Sequence, residues 1–176
     1  MDFVIPQNAV SHFHLLKGDR VADIGAGSGH FSFALARAVA PDGRVFAIEI
    51  QKDLAKRIAE EARAKKITNI ETIWADLESP RGVRLADGTL DAVVFANVLF
   101  QMGNRKHALE EASRLLRVGG KMFIIDWTDS FGGMGPHADL VVGEDEAKKL
   151  GAHAGFNFTR TFPAGSHHYG LAFKKI

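Results

Sequence analysis

The sequence predicts an α/β fold: a single Rossmann-like domain with a mostly parallel seven-stranded sheet, helices on both faces and a C-terminal antiparallel strand pair. Short apolar runs alternate with stretches of helical periodicity through most of the chain, which is the pattern of repeated βαβ units. The last two runs instead alternate around a Pro-Ala-Gly-Ser turn, which is typical of an antiparallel pair. A length of 176 residues suits one domain, residues 1–176, and is short for two.

Each strand is predicted from an apolar run bounded by turn residues. The predicted strands cover residues 20–24, 45–48, 70–74, 90–96, 121–127, 156–162 and 168–174. The turn Asp87-Gly88-Thr89 introduces the fourth strand, and Pro163-Ala164-Gly165-Ser166 joins the last two.

The helices are predicted from apolar residues at helical spacing. Such residues recur from Ala34 to Val39, in a helix that ends before Pro41-Asp42-Gly43. Further helices are predicted over residues 52–66, 105–117 and 144–154. We place Arg117 in the last turn of its helix, where a positive charge suits the negative helix end, with Gly119-Gly120 as the stop.

Two segments are irregular. The glycine-rich segment 129–142 is too long for a simple connector, and we expect it near the acceptor site for a substrate. The N-terminal segment 1–18 precedes the first strand, and its residues 3–16 are expected to form a helix or a lid against a bound ligand.

Composition and charge exclude several classes of function. The 22 Lys+Arg against 21 Asp+Glu give a net charge of +1, which would not recruit nucleic acid or an anionic membrane. The absence of cysteine excludes disulfides, thiolate metal sites and thiol nucleophiles. The eight histidines show no metal-ligand spacing, so no metal is expected. No signal peptide or membrane span is recognisable, and we expect a cytoplasmic protein.

The first strand leads into a glycine loop, Gly25-Ala26-Gly27-Ser28-Gly29, and then into a helix, which is a device for binding nucleotide-like ligands. The spacing differs from the dinucleotide fingerprint G-x-G-x-x-G, and His30 stands where the third fingerprint glycine would be. Asp23 would repel a pyrophosphate but favours the cationic amino group and sulfonium of S-adenosylmethionine (SAM). The loop therefore favours SAM over NAD.

Carboxylates also follow the second and third predicted strands. Glu49 lies 20 residues after Gly29, where it can accept both ribose hydroxyls. Asp76 can accept from an adenine amino group while Leu77 or Ile50 covers the ring. Because strand ends of a parallel sheet meet at one edge, these acids and Asp23 predict one SAM site.

These motifs resemble the class I SAM-dependent methyltransferase family over nearly the whole chain. The matching parts are the glycine motif 21–29, Glu49, Asp76, the fourth-strand segment 90–97 and Leu116-Arg117-Val118-Gly119-Gly120-Lys121, in which Val118 replaces the usual proline. The sequence is most similar to the ubiquinone/menaquinone-biosynthesis-like, type 11 group. The resemblance implies that the turn at Asn97 contacts the methionine moiety of SAM, and that the product is S-adenosylhomocysteine (SAH).

Together these arguments predict thirteen cofactor-binding residues. They are Asp23, Gly25, Ala26, Gly27, Ser28, Gly29, His30, Glu49, Ile50, Ala75, Asp76, Leu77 and Asn97.

Two residues are candidate catalytic bases, Asp126 at the end of the fifth strand and His137 in the glycine-rich segment. A structural cap and an ordinary loop residue are the alternative interpretations. Phe100 and Met102 are expected to line an apolar acceptor pocket. Methyl transfer from a sulfonium is a displacement that depends mainly on alignment, so a diagnostic catalytic residue is not required.

The favoured function is methyl transfer to an O, N or C nucleophile of a small molecule. The segment Asn97-Val98-Leu99-Phe100 lacks the [N/D]-P-P-[Y/F] motif of DNA and glutamine amino-methyltransferases. An RNA or protein acceptor is an alternative, for which the residues to inspect are Arg81, Arg84, Arg105 and Lys106. A non-catalytic SAM sensor, a partner subunit of another methyltransferase and an NAD-dependent oxidoreductase also stay open. For the assembly of the chain, a homodimer stays open as well.

Overall fold

The computed structural model describes residues 4–176 and contains one seven-stranded sheet. The strands are β1 (Arg20–Ile24), β2 (Arg44–Glu49), β3 (Ile70–Trp74), β4 (Leu90–Ala96), β5 (Leu116–Trp127), β6 (Phe156–Pro163) and β7 (His168–Lys175). The helices are α1 (Pro6–Ser11), α2 (His30–Val39), α3 (Lys52–Ala64), α4 (Arg105–Leu115) and α5 (Glu144–His153), with short 3-10 turns at Leu99–Gln101 and Ala138–Leu140.

The strand order is β3-β2-β1-β4-β5-β7-β6. Strands β1 to β5 pair in parallel, whereas β7 pairs antiparallel with both β5 and β6. The chain therefore winds outward from β1 to β3 and then crosses to β4 on the other side of β1. In open α/β sheets a crevice forms at such a switch point, outside the carboxyl ends of the strands. The predicted fold class, including the C-terminal antiparallel pair, is confirmed.

Helices cover both faces of the sheet, and alternate strand residues point to opposite faces, so both sets of side chains are buried. On one face, Val21 and Val94 pack against apolar residues of α1 and α2, and Ala47 packs against Ile58 of α3. On the other face, Ile24 and Phe95 belong to the core that includes α4 and α5. The crevice at the switch point therefore lies next to a closely packed apolar core.

The junction between α4 and β5 corrects the sequence prediction. The helix predicted to reach residue 117 ends at Leu115, and the strand predicted from residue 121 begins at Leu116. Leu116 is fully buried and pairs with Leu90, and this long-range pairing overrides local helix propensity. Arg117 is therefore not in a helix turn; its Nε donates to Asp91 Oδ1 at 2.7 Å.

The N-terminal segment contains the helix α1. Of the range 3–16, Phe3 lies outside the described residues. Helix α1 buries Ala9 and Val10 against the sheet face that carries α2, and the following Phe13 stacks on Phe123 with ring centroids 4.1 Å apart. No residue from 4 to 18 lines the cleft described below. Among the residues described, none of the helices has the length and apolar character needed to span a bilayer.

Candidate functional site

A cleft of about 340 Å³ opens at the carboxyl ends of β1, β2 and β3, beside the switch point. Its size is in the range of small-molecule sites. It is lined by Ile24, Gly25, Gly27, Ile48, Glu49, Ile50, Gln51, Leu54, Ala75, Asp76, Leu77, Glu78, Val98, Gln101 and Met102. Seven of the thirteen predicted cofactor residues are in this lining.

The glycine loop is fastened to the neighbouring strand by its backbone. The N–H groups of Gly25 and Ala26 both donate to the carbonyl of Ile48, at 2.9 and 3.0 Å. The N–H of Gly29 donates back to the carbonyl of Ala26 at 2.8 Å and closes the turn. The loop therefore presents its backbone to the cleft in a fixed conformation.

The three glycines have φ values of +65°, +54° and +81°, but they are needed for different reasons. A Cβ on Gly25 would overlap the side chain of Val98, and one on Gly29 would lie 3.0 Å from Ile58 Cγ1. A Cβ on Gly27 would meet only the carbonyl oxygen of Gly25, at 3.9 Å. The protein itself thus fills the space beside Gly25 and Gly29, whereas Gly27 leaves open space on the cleft for a ligand.

Glu49 joins the glycine loop to the end of β2. Its side chain is 4% exposed, Oε2 accepts from the N–H of Gly27 at 2.8 Å, and Oε1 accepts from the N–H of Gln51 at 2.9 Å. A carboxylate oxygen has two acceptor positions, so each oxygen retains one. Glu49 can therefore hold the loop and still accept two hydroxyl groups from a ligand.

Asp76 organises the loop after β3. Its Oδ1 accepts from the N–H of Glu78 and its Oδ2 from the hydroxyl of Ser79, both at 2.8 Å. The neighbouring Leu77 is buried in the core, while Ile50 across the cleft is 57% exposed. One acceptor position on each Asp76 oxygen stays available, between apolar side chains that could flank a ring.

Asp23 is sealed behind the glycine loop and does not line the cleft. It is 2% exposed and accepts hydrogen bonds from the N–H and the hydroxyl of Ser32, the latter at 2.6 Å. Burial raises the pKa of Asp23 to about 6. Because Gly29, at the N-cap of α2, has no side chain, Asp23 supplies the missing acceptor from the adjacent strand.

Asp126 has the same role at the end of β5. It is 1% exposed, its Oδ2 accepts from the N–H of Leu99 at 3.0 Å, and it also accepts from the N–H groups of Phe100 and Trp127. Burial raises the pKa of Asp126 to about 6. The carboxylate therefore holds the 3-10 turn that carries the cleft residue Gln101.

The other predicted residues lie beside the cleft or away from it. Ser28 and His30 are exposed, with Oγ and Nδ1 3.3 Å apart, and neither lines the cleft. Asn97 has φ +55°, donates its N–H to the carbonyl of Ile125, and buries an Oδ1 atom without a partner. His137 is 83% exposed and pairs with Asp139. Ala26 and Gly29 are buried by the packing of the loop.

Some cleft residues were not predicted. Of the two residues predicted for an apolar acceptor pocket, Met102 lines this cleft and Phe100 does not. Val98 and Gln101 were missed because only their place after a strand end, next to Asn97, marks them in the sequence. Within residues 4–176 no group of three His, Asp or Glu side chains is arranged as a metal site.

The basic residues proposed for an RNA acceptor do not line the cleft. Arg81 pairs with Asp87, and Lys106 lies 3.8 Å from Glu110. Arg105 donates to the carbonyl of Leu99 and lies 3.5 Å from Glu146. Most of this positive charge is therefore matched by neighbouring carboxylates.

Comparisons with known proteins identify relatives over most of the chain. Residues 15–151 match a family model described as a methyltransferase domain. An arsenite methyltransferase from Aquipseudomonas alcaligenes is 31% identical over 116 residues, which are 64% of this chain and 34% of that protein. A ubiquinone/menaquinone biosynthesis C-methyltransferase from Pasteurella multocida is 26% identical over 113 residues, 64% of this chain and 41% of that protein.

The fold is similar to the crystal structure of a SAM dependent methyltransferase from Aquifex aeolicus. The TM-score is 0.90 at 24% sequence identity, and the match covers 99% of this chain and 91% of the other. In contrast, the chain spans about a third to a half of the length of the curated relatives it matches.

Proposed function

We propose that the chain, which belongs to a family of SAM-dependent methyltransferases, transfers the methyl group of SAM to a small molecule. The family is the one that the sequence motifs resemble, so that prediction is confirmed. The acceptor atom is an O, N or C nucleophile that attacks the methyl carbon directly. The observation that carries the proposal is the open space beside Gly27 next to Glu49, whose oxygens each keep one acceptor position.

The residues of the cleft fit SAM. Glu49 would accept the two ribose hydroxyls, and Asp76 would accept from the adenine amino group. Leu77, Ile50 and Met102 supply apolar surface for the adenine ring. SAM supplies an activated methyl group on a positively charged sulfur, and the acidic strand ends favour that charge.

The chain's contribution to the reaction is alignment. Holding two reactants in line can lower a barrier by roughly 7–11 kcal/mol, so the rigid loop at Gly27 and the fastened turn at Leu99 matter more than a proton acceptor. The contacts of Asp126 support a positioning role, because its carboxylate is occupied by backbone N–H groups. His137 is exposed beside Asp139, and we propose it as a general base only for substrates that must lose a proton when they are methylated.

The acceptor we propose is a small organic molecule. Arsenite is bound by soft thiolate ligands, and these 176 residues contain no cysteine. An RNA acceptor would need a basic surface, whereas Arg81 and Lys106 are matched by acidic neighbours.

Titration calorimetry with SAM, SAH and NAD tests the cofactor. We expect binding of SAM and SAH and no binding of NAD. Binding of NAD, with no heat from either SAM or SAH, would overturn the proposal. Incubation with labelled SAM and fractionated metabolites, RNA and protein then tests the acceptor, and label in RNA or protein alone would contradict a small-molecule substrate.

A further inference from the structure

Asn97, His167 and His168 lie together at the sheet edge, on the side of the crevice away from β2 and β3. His168, the first residue of β7, pairs with Trp127, the last residue of β5. Asn97 follows β4 directly, and its N–H donates to Ile125 of β5 at 2.8 Å. His167 precedes His168, and its carbonyl accepts from the N–H of Thr128 at 2.9 Å. The ends of β4, β5 and β7 thus carry Asn97, Trp127 and the two histidines.

These side chains bury polar atoms that make no hydrogen bond. Within residues 4–176, four residues carry such atoms: Asn97, His107, His167 and His168. Of these atoms, His167 Nδ1 does lie 3.4 Å from a carboxylate oxygen of Asp129. Only His107, on α4, lies outside this edge. His168 is 7% exposed and lacks a partner for both ring nitrogens. Because an unsatisfied buried polar group is costly, their concentration at one edge indicates a site for a ligand that completes them.

Aromatic surfaces surround these atoms. The His168 ring lies against Trp127 with centroids 4.2 Å apart, and the His167 ring stacks on Phe131 at 3.8 Å. A Cβ on Gly135 would lie 2.9 Å from the Trp127 ring, so the backbone there rests directly on the indole. Residues 129–137, which we name the covering segment, therefore cover this edge of the sheet, and they contact it through the faces of aromatic rings.

We propose that Trp127, His168 and Asn97 form the acceptor subsite, and that it takes a planar aromatic ring bearing a hydroxyl group. This inference rests on the proposed methyltransferase function. The ring enters beside Trp127 when the covering segment moves aside, and its hydroxyl pairs with one ring nitrogen of His168. His168 and Asn97 select and orient the acceptor.

The hydrogen-bonding capacity of the edge decides the class of ligand. Burial and the neighbouring His167 lower the pKa of His168 to about 4, against an opposing effect of Asp129. The imidazole is therefore neutral near pH 7, with one donor and one acceptor nitrogen. The Oδ1 of Asn97 is a further acceptor. A hydroxyl, which both donates and accepts, complements this set better than a carboxylate or an ammonium.

Phenol and anisole are the probes, because they share a ring and only phenol can donate a hydrogen bond. Binding is followed by the indole N–H resonance of Trp127, assigned with the Trp74→Phe variant, since the chain has two tryptophans. Each titration is run with and without saturating SAH. The test variant is His168→Phe, which keeps a flat ring but removes both nitrogens. The matched control is His107→Phe.

We expect phenol to bind at least about five-fold more tightly than anisole in the wild type and in His107→Phe. We expect His168→Phe to abolish this preference while its affinity for SAH stays within about two-fold of the wild type. Equal binding of the two probes, no binding of either, or a preference that survives in His168→Phe would overturn the subsite. A phenol preference without any SAH binding would support the subsite and refute the proposed cofactor.

Discussion

Replacing Gly27 by alanine separates what the ligand requires of the glycine loop from what the fold requires. The residue has φ +54°, and an added Cβ would meet only the Gly25 carbonyl oxygen, at an ordinary contact distance of 3.9 Å. The cost to the fold is therefore the cost of alanine in the left-handed region, about 1–2 kcal/mol. The methyl group would stand in the open space where we place SAM.

Gly88 provides a matched control at the other edge of the sheet. It has φ +68°, and an added Cβ would meet only the Cα of Arg117, also at 3.9 Å. It lies in the turn before β4, at the amino end of that strand. Gly88→Ala should therefore lose about the same 1–2 kcal/mol of unfolding free energy as Gly27→Ala.

The assay combines urea unfolding with calorimetric titration of SAH. Forcing an extra methyl group into a packed site costs typically 1–3 kcal/mol, so the affinity of Gly27→Ala for SAH should fall by about 5- to 150-fold. Gly88→Ala should bind SAH like the wild type. If both variants bind SAH equally well, the space beside Gly27 is not part of the SAM site, and the reasoning fails. Gly25→Ala would be less informative, because its Cβ overlaps Val98 and the fold itself would change.

Three further predictions follow from the carboxylates and from Arg114. Glu49→Gln keeps the shape but aims an amide N–H₂ at a backbone donor, so SAH affinity in calorimetry should fall at least about ten-fold; unchanged affinity would contradict the ribose assignment. Because burial raises the pKa of Asp126 from 3.8 to about 6, the folded protein binds that proton more tightly than the unfolded chain, and the contribution of Asp126 to stability is lost as pH rises through this window. The free energy of unfolding of Asp126→Asn, measured with urea, should therefore rise relative to that of the wild type by up to about 3 kcal/mol between pH 3.5 and 7, and a difference independent of pH would refute this. Arg114 donates to the carbonyls of Val83 and Leu85 and to Glu111, so Arg114→Lys should lose about 3 kcal/mol of unfolding free energy, against less than about 1 for the exposed Arg81→Ala; equal losses in the two variants would be the contrary result.

Strands whose apolar runs are bounded by turn residues were predictable from the sequence. The observed bounds of β1, β3 and β4 equal the predicted ones, because these strands are short and interrupted by loops on both sides. The end of α4 was predicted wrongly. Residues near Arg117 have helix propensity, and only the pairing of Leu116 with Leu90, distant in sequence, shows that the chain is already extended there.

The site was predictable as a set of strand ends but not as a set of contacts. The sequence places Glu49 and Asp76 after successive strands, and both line the cleft. It does not reveal that Asp23 reaches Ser32 of α2, or that Asp126 reaches the turn at Leu99. Those partners are backbone or hydroxyl groups, which carry no pattern of their own. His168 was not predicted as a site residue, because the sequence does not show that its ring is buried with both nitrogens unpaired.

Four carboxylates at the carboxyl edge share one structural task, because each accepts hydrogen bonds from a loop or from the first turn of a helix that follows a strand. Their exposure to the cleft separates them into two kinds. Glu49 and Asp76 line the cleft and keep free acceptor positions, so their replacement should act mainly on ligand affinity. Asp23 and Asp126 are sealed, with pKa values raised to about 6, so their replacement should act mainly on the pH dependence of stability. An acidic residue after a strand therefore marks the edge where a ligand binds, and its place in the cleft decides whether it contacts that ligand.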